Sequence, residues 1–160
     1  MRPALKPLLL LCLPWLCAWG GGGTPERRDV ETFILETLRQ QEGDTWERVG
    51  QFMTWRYGFD RARCLLSVER DAELGHYFQQ RIPLAEAAPV GVQNSEIVFD
   101  CREGKPCIDY NVKTSALVDE KRVARTRLLV MDSSDVTPLI NAFAELHQLC
   151  RDPYAPSRTR

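Results

Sequence analysis

In the stretch IVFDCREGKPCIDY, residues 97–110, Cys101 and Cys107 stand on either side of a charged turn that carries Gly104 and Pro106. Thiols so placed have three chemistries open to them: half of a metal site, a redox pair, or a disulfide-closed hairpin. Zinc wants thiolates and imidazoles in clusters, usually Cys-x2-4-Cys with a second such pair. Cys101 and Cys107 are six apart, and the two histidines add a single close pairing, His147 with Cys150 three residues later. That histidine reads as the edge of a buried helical stripe, so no metal is expected. A redox Cys-x-x-Cys is absent. The disulfide is the chemistry that remains.

Catalytic constellations fare no better. A triad needs a histidine base with an orienting carboxylate, and no nucleophile-elbow motif surrounds any serine. Asp100 and Asp109 could make a carboxylate pair, but both read as solvent-facing strand residues. Asp132-Ser133-Ser134-Asp135 lacks the twelve-residue spacing and closing glutamate of a calcium loop, and helix capping accounts for it. The expectation is a non-enzymatic chain without a cofactor. The most suggestive surface feature is KRVARTRLLV, residues 121–130, where Ala124, Thr126, Leu128 and Val130 share an inward face. Arg125 and Arg127 then lie outward beside Lys121. Such a ledge could hold an anionic ligand or a partner protein's acidic patch. Charge on an edge strand also discourages sheet-to-sheet aggregation, which is the plainer account. The aromatic set Trp46, Phe52, Trp55, Tyr57 and Phe59 reads as core.

The compartment follows from the first twenty residues. Arg2 and Lys6 precede an apolar run from Leu8 to Leu16, and Ala18-Trp19-Gly20 offers small residues around a cut. That is the three-part pattern of a secretory signal peptide, with a run too short to span a bilayer. Residues 1–20 are therefore expected to be removed and 21–24 to form a flexible leader. A single domain over 25–150 and a frayed tail over 151–160 would follow. Without Arg2 and Lys6, 19 basic residues face 22 acidic ones, a net charge of −3 that gives no support for nucleic-acid binding. No later apolar run approaches a membrane span of about 20 residues, so the mature chain is expected to be soluble, periplasmic or secreted. Four cysteines survive the cut, Cys64, Cys101, Cys107 and Cys150, and an even count in an exported chain reads as two disulfides. Pairing Cys101 with Cys107 and Cys64 with Cys150 is expected. Yet Ile97, Phe99 and Cys101 set one inward face while Ile108, Tyr110 and Val112 turn Cys107 outward. Direct pairing then needs a bulge, or else Cys101 bonds to Cys64 or Cys150.

The elements that must position these residues are legible by period. A helix fits residues 25–41, with Pro25 at its first position and Val30, Phe33, Ile34, Leu35 and Leu38 as its apolar stripe. From Trp46 the period changes to two, and Gly58-Phe59-Asp60 reads as a turn. Strands follow over residues 62–69, 77–84, 97–101, 107–112 and 122–131, with 85–94 as a loop containing Pro89 and Gly91. A closing helix carries Leu139, Phe143, Leu146 and Cys150 on one stripe, with Pro138 in its first turn. Antiparallel strands followed by an amphipathic helix resemble a pleckstrin-homology-like (PH-like) roll. Ile97, Phe99 and Cys101, then Gly104, Cys107-Ile108 and the helix ending in Leu149-Cys150, resemble small exported bacterial proteins with PH-like sheets. The resemblance covers roughly the last sixty residues. It implies an α+β fold, a six- to seven-stranded antiparallel roll with a C-terminal capping helix and an added N-terminal helix. It implies no activity, because such rolls host many functions. The reading is an exported, disulfide-stabilised binding module of unknown partner. Its alternatives are a cystatin-type inhibitor, of whose Gln-x-Val-x-Gly wedge only Val49-Gly50 is present, and a small-ligand-carrying β-domain.

Overall fold

The computed structural model describes residues 25–43, 46–48, 51–72, 76–114 and 116–152. The expected signal peptide, the leader, the Val49-Gly50 pair and residues 153–160 of the tail lie outside them. Helix α1 (Pro25–Arg39) is followed by β1 (Trp46–Arg48), β2 (Gln51–Asp60), β3 (Leu65–Ala72), β4 (His76–Pro83) and β5 (Ala87–Gln93). Then come β6 (Glu96–Cys101), β7 (Ile108–Lys113), β8 (Val118–Val123), β9 (Arg125–Leu129) and the closing helix α2 (Val136–Arg151). The fold is α+β. Nine strands among the described residues form two antiparallel sheets, one ordered β1-β2-β3-β4-β7-β8 and one ordered β5-β6-β9.

Four elements depart from the sequence expectation. Gly58-Phe59-Asp60 does not turn; β2 runs through it, and the chain reverses at residues 61–64. Gly58 stands opposite Ser67, and a Cβ on it would lie 3.0 Å from the Ser67 Oγ, so the serine side chain would have to give by a few tenths of an ångström. Residues 87–93, expected as loop, are an edge strand paired only to β6, with its register shifting between Pro89 and Gly91. An edge position and a bulge are the places where a strand tolerates proline. Residues 122–131 are not one strand: β8 belongs to the six-stranded sheet and β9 to the three-stranded one, with Ala124 between them. Most tellingly, Cys101 and Cys107 do not close a hairpin. They end β6 and precede β7, strands of different sheets, so the turn between them is a corner from one sheet to the other. Glu103 and Gly104 make that corner with φ of 58° and 67°, the left-handed region that favours glycine.

Both sheets and both helices contribute to one core. α2 inserts Leu139, Phe143, Leu146 and Leu149, and the Phe143 ring meets Phe99 edge-on at 5.1 Å. α1 is rotated from its expected stripe: Ile34 and Leu38 are buried, but Phe33 is 43% exposed. The rest of that buried face holds Arg27 and Glu31. The Glu31 carboxylate, 2% exposed, accepts ion pairs at 2.9 Å from both Arg27 and Arg61, which offsets much of the cost of burying its charge. Two polar ties join the sheets. Thr126 Oγ1 of β9 donates to Gln80 Oε1 of β4 at 2.8 Å. Gln41, just past α1, donates to Tyr57 of β2 and to the Leu129 carbonyl at 3.1 Å, and accepts from the Met131 amide at 2.9 Å. The Asp132–Asp135 run caps differently from expectation. Asp135 makes no side-chain cap, while Asp132 accepts from the Ser134 amide and hydroxyl at 2.8 Å and shapes the turn before α2.

Candidate functional site

The four cysteines among the described residues are joined as Cys64–Cys150 and Cys101–Cys107, with Cα separations of 6.0 and 5.8 Å that suit unforced disulfides. No bulge is required at the second bond. Both sulfurs point into the core because the corner turns the two strands into different sheets, and both cysteines are 5% exposed. The Cys107 amide also donates to the Cys101 Sγ at 3.1 Å. At the first bond, His147 lies one helical turn before Cys150 and its Nδ1–H donates to the Leu84 carbonyl at 2.6 Å. The Leu84 amide donates in turn to the Cys64 carbonyl at 2.8 Å. His147 is thus a structural donor beside a disulfide. No cluster of three His, Cys, Asp or Glu groups suited to a metal occurs among the described residues.

The expected basic ledge is divided. Arg125 and Arg127 do point outward from β9, an edge strand, but each faces a carboxylate of β6. Arg125 forms a two-pronged pair with Asp100, and Arg127 reaches Glu96 at 3.5 Å. The Arg125 guanidinium holds the Asp100 carboxyl below the usual carboxylate range. Lys121 stands on β8 in the other sheet, where the Asp119 carboxylate at 2.9 Å raises its ammonium above the usual lysine range. Asp109, the remaining candidate acid, pairs with Arg122 at 3.3 Å. Arg125, Arg127 and Arg122 pair with carboxylates of the neighbouring strand and Lys121 with one of its own strand; the cations are exposed, while Asp100 and Glu96 are partly covered.

A different set of residues gathers on the inner face of the six-stranded sheet. Residues directly opposite in antiparallel strands share a face. The register therefore lays Trp55, Arg70, Phe78, Val112 and Asp119 in one row across β2, β3, β4, β7 and β8. The neighbouring row holds Tyr57, Val68, Gln80, Tyr110 and Lys121. Beyond it, Phe59, Leu66 and Ile82 sink into the core. The face thus grades from closed to open. Leu66 and Ile82 are fully covered, whereas Arg70, Phe78, Val112 and Tyr110 are only half-buried. In the open row the Arg70 guanidinium lies 5.1 Å from the Trp55 ring centre and 4.5 Å from that of Phe78. This is a cation held between two aromatic faces. Lys121 lies 5.6 Å from the Tyr110 ring. Trp55 is 5% exposed, and its Nε1–H has no acceptor among the described residues.

A buried indole donor left unmatched costs free energy unless something completes it, and half-covered aromatics beside a fixed guanidinium are common equipment of ligand sites. Arg70 was not singled out in the sequence, although a signal was there. Continuing the alternation Leu66, Val68 by one step puts an arginine on the buried face of β3, where charge is rare unless it has work to do. Trp55 and Tyr57, expected as core, are indeed buried. The opposite face of the sheet is a solvated charge lattice, with Arg56 on Asp71, Gln79 on Glu69 at 2.9 Å, and Arg122 on Asp109. No helix of the described residues is long and apolar enough to cross a membrane. No family model matches this chain, and no curated protein or solved structure matches it either.

Proposed function

We propose that this is an exported, disulfide-stabilised, non-enzymatic binding module built on a PH-like roll, and that it binds through the open row of its larger sheet. The observation that carries the reading is the Trp55–Arg70–Phe78 stack, whose Arg70 and Phe78 are half-open to solvent beside a buried indole donor with no acceptor among the described residues. The export half of the reading is supported by the n-region and apolar run before Gly20 and by two disulfides, which persist in oxidising compartments. The non-enzymatic half is supported by the other employment of the groups that would do chemistry: the four cysteines are oxidised and His147 is committed to a backbone carbonyl.

The test is native mass spectrometry of the protein isolated from the exported fraction of its host, wild type beside Phe78→Ser. The expected result is a bound species on the wild type, absent from the variant and released chemically unchanged. A bound species that is converted to product on incubation, with the conversion abolished by one point substitution, would replace this reading with an enzyme.

A further inference from the structure

We propose that β8 is a self-pairing edge, through which two copies of this chain join antiparallel about a two-fold axis at Glu120. Each sheet has two edges, and among the described strands only β8 is built to meet itself. β1 has three residues, and β5 is interrupted by Pro89 and the register shift beside it. β9 carries Arg125 and Arg127 and no acid, so it offers a second copy nothing of opposite sign. β8 pairs only with β7, and its charges are balanced, Asp119 and Glu120 followed by Lys121 and Arg122. Charge of one sign on an edge blocks sheet-to-sheet pairing. An acid followed two positions later by a base does the opposite, in one register.

That register follows from the alternation of side chains. Opposite residues share a face, so two copies related by a two-fold axis must be centred on a residue. With the axis at Glu120, Asp119 of each copy meets Lys121 of the other. Asp119 and Lys121 already pair within one strand at 2.9 Å, and in the dimer each acid stands between two bases. Val118 meets Arg122, and Leu117, just before the strand, meets Val123. Leu117 and Val118 are 56% and 65% exposed, the most open large apolar side chains among the described residues, and this pairing covers both. The one like-charge meeting is Glu120 with itself, on the solvated face, where Arg122 of each copy lies diagonally beside it. An axis at Asp119 makes no acid–base pair. An axis at Lys121 opposes lysine to lysine and Asp119 to Val123, and it carries Leu117 past Ala124, where the chain leaves the sheet. Asp119 ends the open row, so Lys121 and Tyr110 of the second copy carry that row across the axis. The pairing itself does not depend on what the row binds.

Sedimentation velocity of the exported protein at rising concentration tests this, with thermal melts confirming the fold of each variant. The wild type should pass from monomer to dimer below about 1 mM, and β8 amides that exchange quickly in the dilute monomer should slow as it does. Asp119→Lys and Lys121→Asp should each weaken the dimer about tenfold or more, because each turns two attractions into repulsions. Mixed in equal amounts, the two variants should recover a one-to-one dimer, since every lysine of one then faces an aspartate of the other. Glu120→Gln removes the like charge on the axis and should tighten the dimer about threefold. That change, at an exposed side chain, keeps the test open if a charge reversal melts early. A wild type that stays monomeric at about 1 mM, a dimer indifferent to the single reversals, a mixture that does not associate, or a Glu120→Gln dimer no tighter than the wild type overturns the proposal.

Discussion

Tyr57 and Gln41 show how much one polar contact does in this core. The phenol is 5% exposed, and burial, the dominant cause, pushes its ionisation far above the ordinary tyrosine value. Gln41 spends its three hydrogen bonds on β2, on the end of β9 and on the segment before α2, so the pair ties three parts of the chain at one point. Folding holds the Tyr57 proton, whereas the unfolded chain releases it near pH 10. The stabilisation is therefore complete below that value and is lost as pH climbs through the raised folded value. Tyr57→Phe should cost about 1 kcal/mol near pH 7, because Gln41 loses one of its three partners. The gap between wild type and variant should then narrow in urea melts at about pH 11, where the wild type has begun to lose its contribution. A gap that stays constant with pH would mean that the phenol proton plays no part. Only one of the two is legible in the sequence. Tyr57 falls on the inward period of β2, but Gln41 lies just beyond its helix, and nothing local says that its amide turns inward.

At the scale of elements, period and punctuation carried most of the information. Both helices and the alternation of β2, β3, β6 and β9 follow from residue spacing. Two of the four misplaced elements share a cause: local signals describe a strand without saying which sheet it joins. CREGKPC has the composition of a hairpin turn, yet its flanking strands find partners elsewhere, β6 beside β9 and β7 beside β4. Ala124 likewise interrupts a run that reads as continuous, because the chain changes sheets there. The two disulfides consequently do different jobs. Cys64–Cys150 closes a separation of 86 residues and fastens α2 to the turn before β3, while Cys101–Cys107 closes a separation of six at a corner. In the chain-entropy model these are worth about 4–5 and about 2 kcal/mol. Cys64→Ala with Cys150→Ala should therefore lower unfolding free energy by about 2 kcal/mol more than Cys101→Ala with Cys107→Ala, read from guanidinium titrations. The reverse order would show that the corner bond holds the two sheets in place, beyond restricting the unfolded chain.

Across the whole molecule, burial is graded along the larger sheet, and the candidate site lies where the grade runs out. At one end Leu66, Val68 and Ile82 are enclosed by both helices and the smaller sheet. At the other, Arg70, Phe78 and Val112 are half-covered, and β8 is an edge strand bearing Asp119, Glu120, Lys121 and Arg122. The sequence could place Trp55 and Tyr57 inward but could not reveal this gradient. It depends on how far the helices and the β5-β6-β9 sheet extend over the larger one, a property of packing that no spacing records. Local stability follows enclosure, since openings that expose little apolar surface cost least. Native-state hydrogen exchange should therefore find the slowest amides around Leu66 and Ile82, with protection falling along β3 and β4 toward Arg70 and Phe78. β8, paired on one side only, should exchange fastest among the strands of that sheet from β2 onward. The species bound at the open row should slow exchange at Phe78 and Val112 and leave the Leu66 end unchanged, because a ligand adds stability where openings release it. Uniform protection along β3 and β4 in the free protein would contradict the gradient. Ligand-induced slowing spread over the enclosed end as well would mean that the sheet opens as one unit and that the open row has no stability of its own.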